Sequence, residues 1–449
     1  MELDDGLGRH INRSRDHRTD SAGDRILDLV GVGFGPSNLG LAIAIEERGG
    51  GHRGRGGAPL TSAFVETKPQ FAWHPDMLLP GTTMQISFLK DLVTQRNVVS
   101  EYSFLNYLQQ SDRLHHFINF QTFFPTRIEF HKYLEWAAER VGADVRYGSR
   151  VTRIIDRSDH FEIVVEGRWT GSLRARNVVV AGGLSAKLPD GVTASARQFH
   201  NHSLLSSLER MPAPTNDAFV VVGAGQSSAE VVRHLHQTYP TAQIHAVFGK
   251  YGYSPADDSP YANRIFDAEA VDGYYRSSGE TKARLLDYHR GTNYSAVDLP
   301  LIEELYTTEY AERVDGARRL FMHGASSVAS ASESDDGVQV VVESKMTGDV
   351  TRISADAVVY ATGFSSVCLA SLLGDLYPEE SFTERPRVTR DYRLRTTRPT
   401  AGSIYLQGGT EDTHGITSSL LSNIAIRSEE ILDSVMDGLG ESASYMTSA

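Results

Sequence analysis

Two glycine-rich turns, each set between an apolar run and a helical pattern, limit this chain to few folds. The first lies in ILDLVGVGFGPSNLGLAIAIEE. Ile26 to Val30 is apolar, and Gly31, Gly33 and Gly35 then punctuate a turn closed by Pro36, with Asn38 alongside. Leu39, Ala42, Ile43 and Ile45 follow at helical spacing. Strand, tight turn and helix in that order open a doubly wound nucleotide-binding unit. Glycines let the backbone turn sharply and approach a pyrophosphate, while the helix start offers free N–H groups and the positive end of its dipole. LTSAFVE reads as the next strand, ending in Glu66, a carboxylate suited to ribose hydroxyls. Its distance from Gly31 exceeds the usual spacing of about 20 residues. The surplus is a glycine- and arginine-rich loop at 48–57.

The pattern recurs in AFVVVGAGQSSAEVVRHLHQTYP, from Ala218. Gly223 and Gly225 make the turn, Gln226 and Ser228 open the helix, and Ala229, Val232 and Leu235 share one helical face. Two such units suggest a flavin and a nicotinamide nucleotide. The strand after the second turn, IHAVFGK, ends without an acid; Lys250 stands there, after Gly249. A cation at that place pairs with a 2′-phosphate and favours NADPH over NADH, although a solvated surface lysine reads the same way.

Elsewhere the patterns are coarser. NVVVAGG (177–183) and DAVVYATGF (356–364) read as apolar strands returning the chain to the cofactor domain. Residues 251–310, rich in Tyr, Asp, Asn and Arg, read as a mostly helical substrate-side insert. GVQVVVES and DVTRISADAVVY alternate like one antiparallel ribbon. TSSLLSNIAIRSEEILDSVMDGL has a helical period with Ser and Thr at its start. The polar residues 1–24 read as a mobile tail, without the apolar stretch of a signal peptide.

Charge excludes several functions. With 44 basic and 57 acidic residues among 449, the net charge is −13. That opposes a nucleic-acid binder or a protein held on anionic lipid. The single cysteine, Cys368, rules out an internal disulfide, a dithiol flavoenzyme and a Cys-rich metal site, so no metal is expected and a reducing cytoplasm fits best. No apolar run approaches the length of a membrane span.

WHPDMLLPGTTMQISFLKDLVTQRNVVSEYSFLNYL (73–108), with GVGFGPSNL at the first turn, is too long and irregular to be generic. Together with FFPTRIEFHKYLEW, DDSPYANRIFD, GTNYS and QGGTEDTHGITSSLLSN, it resembles the flavin-dependent N-hydroxylating monooxygenases of siderophore biosynthesis, most closely the bacterial L-ornithine hydroxylases. The resemblance spans about residues 26 to 430. It implies that NADPH reduces FAD, that dioxygen adds to give a flavin C4a-hydroperoxide, and that the L-ornithine side-chain amine attacks its distal oxygen. It also implies that NADP⁺ stays bound to shield that species from water, and that the enzyme is a homo-oligomer, often a tetramer.

By the same resemblance, Met84 and Gln85 lie beside the isoalloxazine, Trp73 and His74 lie near the flavin, and Lys90 binds the substrate carboxylate. Asn263 and Asn293 match the amides that contact substrate. An alkyl amine, with a pKa of about 10.4, must attack as the neutral base, and an Asn carbonyl accepts its N–H without adding a negative charge that would keep it protonated. Ser422, or Ser419 in the alternative register, is expected at the substrate or flavin edge, Tyr294 and Ser295 beside the nicotinamide nucleotide, and Thr413, His414 and Gly415 before a helix whose N-terminus stabilises reduced flavin. Two departures matter. Position 249 is Gly where relatives carry an arginine for the 2′-phosphate, which weakens the NADPH preference. QFHNHS lacks the glycine spacing of the ketone-oxidising branch.

The expected fold is α/β, with two doubly wound Rossmann-like dinucleotide-binding domains. The FAD domain is expected from 25–213 and 345–449, and the NADPH domain from 214–344 with the insert inside it. Rival readings are a lysine or diamine hydroxylase, a non-catalytic flavin redox sensor and an amine oxidase. Lys90 disfavours a diamine, which has no carboxylate; an amine oxidase would not need the second nucleotide turn.

Overall fold

The computed structural model describes residues 25–51, 60–293, 295–378 and 388–447. The expected N-terminal tail, residues 52–57 of the expected 48–57 loop and Tyr294 lie outside them, as do the side chains of Asn293 and Ser419, while 48–51 continue the helix Pro36–Gly51.

Two parallel sheets carry the two glycine turns. The first sheet runs Val145–Tyr147, Ser62–Glu66, Ile26–Val32, Gly171–Val180, all parallel. Gly171–Val180 is long enough to serve two partners. Its first half pairs antiparallel with Phe161–Gly167 and so joins Ser149–Asp156, while its last residues pair parallel with Ile404–Leu406. Leu29, Val30, Phe64, Val178 and Val179 are completely buried, as expected of strands covered on both faces. Helix Pro36–Gly51 provides part of that cover and packs along helix Ile424–Thr447.

The second sheet runs Leu320–His323, Gln243–Val247, Ala218–Val222, Ala357–Tyr360, Gln198–His200, again parallel throughout. Two of its strands lie outside the span 214–344 expected for the NADPH domain. Gln198–His200 and Ala357–Tyr360 belong to the second unit, and the chain crosses between units at two short strands, Leu184–Ala186 and Phe364–Ser366, paired antiparallel.

The expected ribbon of 337–360 is likewise divided. Gly337–Ser344 pairs antiparallel with Val350–Ala355 and with Ser326–Ser334, but Ala357–Tyr360 turns into the parallel sheet. Asp356, fully buried, makes that turn possible. Its Oδ1 accepts from the backbone N–H of Thr215 (2.6 Å) and Asn216 (2.9 Å), and its Oδ2 from Ala218 (3.1 Å). A buried carboxylate is tolerable when donors surround it in this way.

The insert is helical as expected: a 3₁₀ turn Ala262–Phe266, then helices Ala268–Arg276, Gly279–Asn293 and Leu299–Asp315. The C-terminal helix begins at Ile424, later than its sequence pattern suggests. Two 3₁₀ turns, Ile416–Ser419 and Leu421–Asn423, precede it. The guanidinium of Arg427 takes the carbonyls of Thr417 (3.4 Å) and Ser418 (2.7 Å), which a continuous helix would use for its own ladder. Among the described residues, no helix is long and apolar enough to cross a membrane and no cluster of three or more His, Cys, Asp or Glu is placed to hold a metal.

Candidate active site

At the first turn the glycines are required by space. Gly33 has φ +84°, and a Cβ there would sit 2.4 Å from the Ala181 carbonyl oxygen. A Cβ on Gly31 would meet the Phe64 ring at 2.3 Å, whereas Gly35 faces open space. Pro36 takes the first position of its helix, where a missing N–H costs nothing. The Asn38 side chain ties the turn shut by donating to the carbonyls of Gly33 (2.7 Å) and Val32 (3.3 Å). Glu66 lies at the expected strand end, buried, but it also has a local task. Its Oε2 accepts from Phe34 N–H (2.7 Å) and its Oε1 from Lys68 N–H (2.9 Å), which orients the carboxylate and leaves lone pairs for a ribose.

The second turn repeats the geometry. Gly223 has φ +149°, and a Cβ would lie 2.3 Å from the Ala361 carbonyl oxygen. Two residues expected to touch nucleotide also bond to protein. Ser228 Oγ donates to the Gly223 carbonyl (2.7 Å) and is buried, so it braces the turn. Gln226 is held at both ends of its amide by Asp298. Gly225 and Ser295 meet closely, with 3.5 Å between a Gly225 Cβ and Ser295 Cα, and Lys250 Nζ donates to the Ser295 carbonyl (2.7 Å). Gly225, Lys250 and Ser295 therefore share one corner, as a nicotinamide nucleotide site needs.

Gln85 joins the two units. Its Nε2 donates to Asp298 Oδ1 (3.1 Å), three residues after Ser295. Met84 beside it is buried, and its N–H donates to the Pro125 carbonyl (2.8 Å). Trp73 and His74 pack edge to face at 5.2 Å, and His74 also meets His202 and Phe364, on the crossing strand. Burial pushes the His74 imidazole down to about 3, helped by the nearby His202, so it is a neutral aromatic wall.

Residues 25–366 match the L-lysine 6-monooxygenase/L-ornithine 5-monooxygenase family. The chain belongs to this family. It is 40% identical to the L-ornithine N(5)-monooxygenase of Burkholderia cepacia over 87% of this chain and 90% of that one. The ornithine N-hydroxylase of Kutzneria sp. 744, in its form with reduced FAD, NADP⁺ and L-ornithine, superposes with a TM-score of 0.85 at 41% identity, covering 92% of this chain and 99% of that one. The L-lysine 6-monooxygenase of Pseudomonas syringae superposes less well, at 0.77 and 27% identity over 92% and 99% of the two chains.

The family's remaining expected positions fall as follows. Lys90 sits in a turn, its N–H bonded to the Ser87 carbonyl, and its ammonium makes no ion pair among the described residues. Asn263 Nδ2 donates to the Asp258 carbonyl (2.8 Å), which leaves its Oδ1 as the accepting end. No hydrogen bond joins Lys90 to Asn263. Asn293 closes its helix at the backbone. Ser422 is buried in the 3₁₀ turn before the C-terminal helix. Thr413 Oγ1 pairs with the Thr410 carbonyl (3.1 Å) and the His414 ring (2.8 Å), and His414 stacks on Tyr392 at 4.2 Å. Gly415, φ +80°, packs against the Tyr274 ring of the insert. Thr413 to Gly415 thus precede two short turns, not the long helix, and any dipole they offer is that of a single turn.

Four groups in this family member are not evident from the sequence. Gln407 donates to the Ser37 carbonyl (3.2 Å), bringing the C-terminal segment onto the first glycine turn. Arg427 is 2% exposed and reaches Ser37 Oγ (3.4 Å), with no carboxylate within 4 Å among the described residues. Desolvation holds its pKa below the usual guanidinium value. A buried, unpaired cation beside the start of helix Pro36–Gly51 fits a diphosphate group at that turn. The Thr410 hydroxyl is buried without a partner, a polar group with capacity for a ligand. The fourth is the carboxylate of Asp298. Each looks unremarkable in sequence, since its partners are distant along the chain.

Proposed function

We propose that this enzyme hydroxylates the side-chain amine of L-ornithine, using FAD and NADPH, and so supplies hydroxyornithine for hydroxamate siderophores or related products. The observation that carries the reading is the joining of the Met84–Gln85 loop of the first unit to the second glycine turn through Gln85, Asp298 and Gln226, in a chain alike over nearly its whole length to ornithine hydroxylases. FAD held at the first glycine turn, once reduced by NADPH, would supply the chemistry that activates dioxygen, from which the transferred oxygen atom comes. The protein's part is to bind, orient and exclude water. Gly31, Gly33, Gly35 and Pro36 cradle the FAD pyrophosphate, with Glu66 on its ribose. Trp73, His74, Met84 and Gln85 line the ring, and Thr413, Gly415 and Ser422 close it from the C-terminal side. Gly223 and Gly225 cradle the nicotinamide nucleotide beside Tyr294 and Ser295, while Gln226 and Ser228 hold that turn.

Lys90 receives the ornithine carboxylate. A charge-assisted contact of this kind contributes about 1.5–3 kcal/mol. Lys90→Ala is therefore expected to raise KM for ornithine by about 10- to 100-fold, with a smaller change in kcat, in steady-state assays. Asn263 and Asn293 present carbonyls that accept from the neutral amine. Lys250 supplies the cation for a 2′-phosphate without the arginine that position 249 lacks. Lys250→Ala is expected to narrow the NADPH-over-NADH preference by about tenfold, the worth of a partly exposed charge contact. An unchanged cofactor ratio would return Lys250 to being a surface lysine.

The reading includes a cytoplasmic homo-oligomer, with a tetramer as the expected form. Val98, Val99, Ile118, Phe120, Phe123 and Phe124 stand exposed and favour self-association, which sedimentation would measure. Product analysis tests the reaction itself. Ornithine, lysine and putrescine are offered in parallel with FAD and NADPH, and hydroxylamine formed per NADPH is counted. Tight coupling with ornithine alone is expected. Coupling with lysine would move the assignment to the other branch of the family, and peroxide with all three substrates would overturn it.

A further inference from the structure

We propose that Asp298 is a positioning residue that fixes the amide of Gln85 and ties retention of the nicotinamide nucleotide to the flavin-side loop; this rests on the N-hydroxylase reading above. An ionised carboxylate accepts and cannot donate. Asp298 Oδ1 faces the Gln85 amide at 3.1 Å, so the end of that amide turned toward it is Nε2 and the carbonyl points away. Asp298 Oδ2 accepts from Gln226 Nε2 at 3.1 Å, and the Asp298 backbone N–H donates to Gln226 Oε1 at 2.9 Å. One residue thus reads both ends of one glutamine and one end of another.

The two glutamines belong to different units. Gln85 lies on the loop with Met84, beside the first unit, and Gln226 opens the helix after the second glycine turn. Gln226 Nε2 also donates to Glu230 Oε1 (3.0 Å), and Glu230 is locked in a two-pronged ion pair with Arg127 at 2.8 Å on each side. The charged groups that face Asp298 are Glu230 and Arg127, and its neutral partners are the two glutamines. Asp298 lies three residues after Ser295, the residue against Gly225 and Lys250. A nucleotide settling on that turn therefore presses on the same segment that sets the direction of the Gln85 carbonyl. No other group within the network can orient Gln85, because its side chain makes no second hydrogen bond among the described residues.

Two substitutions break the bridge from opposite sides. Asp298→Asn offers one accepting oxygen where two amide N–H groups need one each. Gln85→Glu sets a carboxylate against a carboxylate. Peroxide released per NADPH and the Kd of NADP⁺, titrated into FAD-loaded protein, are measured for both variants, for the pair combined and for the unaltered enzyme. Each variant is expected to release several times more peroxide and to bind NADP⁺ about 5- to 20-fold more weakly, the usual span of coupling between two sites. The combined variant is expected to be no worse than either alone, since both remove one interaction. Gln85→Glu is expected to regain coupling as pH falls, because a shared proton lets one carboxyl donate to the other; Asp298→Asn has no such relief.

Unchanged NADP⁺ binding in Asp298→Asn, multiplying effects, or no pH relief in Gln85→Glu would each overturn the proposal. Should Asp298→Asn not load FAD, the pH series on Gln85→Glu decides alone. Should the unaltered enzyme yield only peroxide with ornithine, the reaction assignment fails, and the NADP⁺ affinities still decide whether the bridge exists.

Discussion

Gly33→Ala is expected to yield folded protein that no longer retains FAD. The new Cβ would lie 2.4 Å from the Ala181 carbonyl oxygen, and the φ of +84° is strained for any residue with a side chain. The contact atom is backbone just past the end of strand Gly171–Val180, where the Ala181 N–H is held by the Val32 carbonyl (2.9 Å), and it cannot swing away as a side chain would, so the turn itself must open, and it opens where the pyrophosphate is to be held. Flavin absorbance after gel filtration reads the outcome directly, and a loss of at least about a hundredfold in FAD affinity is the expected scale, since misplacing one turn forfeits several charge-assisted contacts. Gly223→Ala is the matched control. It meets the Ala361 carbonyl at 2.3 Å in the second unit, so it should keep its yellow colour and lose NADPH reduction. Loss of flavin in both variants, or in neither, would mean that the two turns are not separate sites.

The second large effect concerns stability. Arg127 and Glu230 form a two-pronged pair in which Glu230 is 1% and Arg127 14% exposed at the side chain. Arg127→Ala strands the Glu230 carboxylate among apolar neighbours of helix Gln226–Thr238. Removing one partner of a buried pair typically costs about 3–5 kcal/mol. A fall in Tm of several degrees is expected from calorimetry, larger than for Arg140→Ala, whose partner Glu101 is mostly solvated. The double change Arg127→Met with Glu230→Leu should restore much of the loss, because it removes the stranded charge along with its partner. If Arg127→Ala unfolds no more easily than Arg140→Ala, the pair is a contact without energetic weight.

What could be read in the sequence was local. The glycines of both turns, the helix each introduces, the acid at the end of Ser62–Glu66 and the helical insert all follow from residues within one or two elements of one another. What could not be read was partner choice between distant segments. Ala357–Tyr360 is as apolar as any strand of the first sheet, and nothing in its pattern says that its neighbours are Ala218–Val222 and Gln198–His200. Ser228 and Gln226 carry the right chemistry for a nucleotide but spend it on Gly223 and Asp298, a choice visible only once Asp298 has been brought 72 residues back to the turn. Arg427 stands in the sequence among other charged residues of a helical pattern. Its burial against Ser37, 390 residues earlier, depends on the whole first unit having closed.

The paired strands at Leu184–Ala186 and Phe364–Ser366 also set an order of events during synthesis. The ribosome makes the chain up to Val180, then everything between the two crossings, and only afterwards Ile404–Leu406 and helix Ile424–Thr447. Domains that emerge early tend to fold as they emerge. The second unit has all five of its strands in hand by Tyr360, whereas the first still lacks an edge strand and its covering helix. Because the crossings lie side by side, about 5 Å apart as neighbouring strands do, a folded second unit acts as a short clip and spares the first most of the entropy of closing so long a loop. The flavin turn, made almost at once, is finished last.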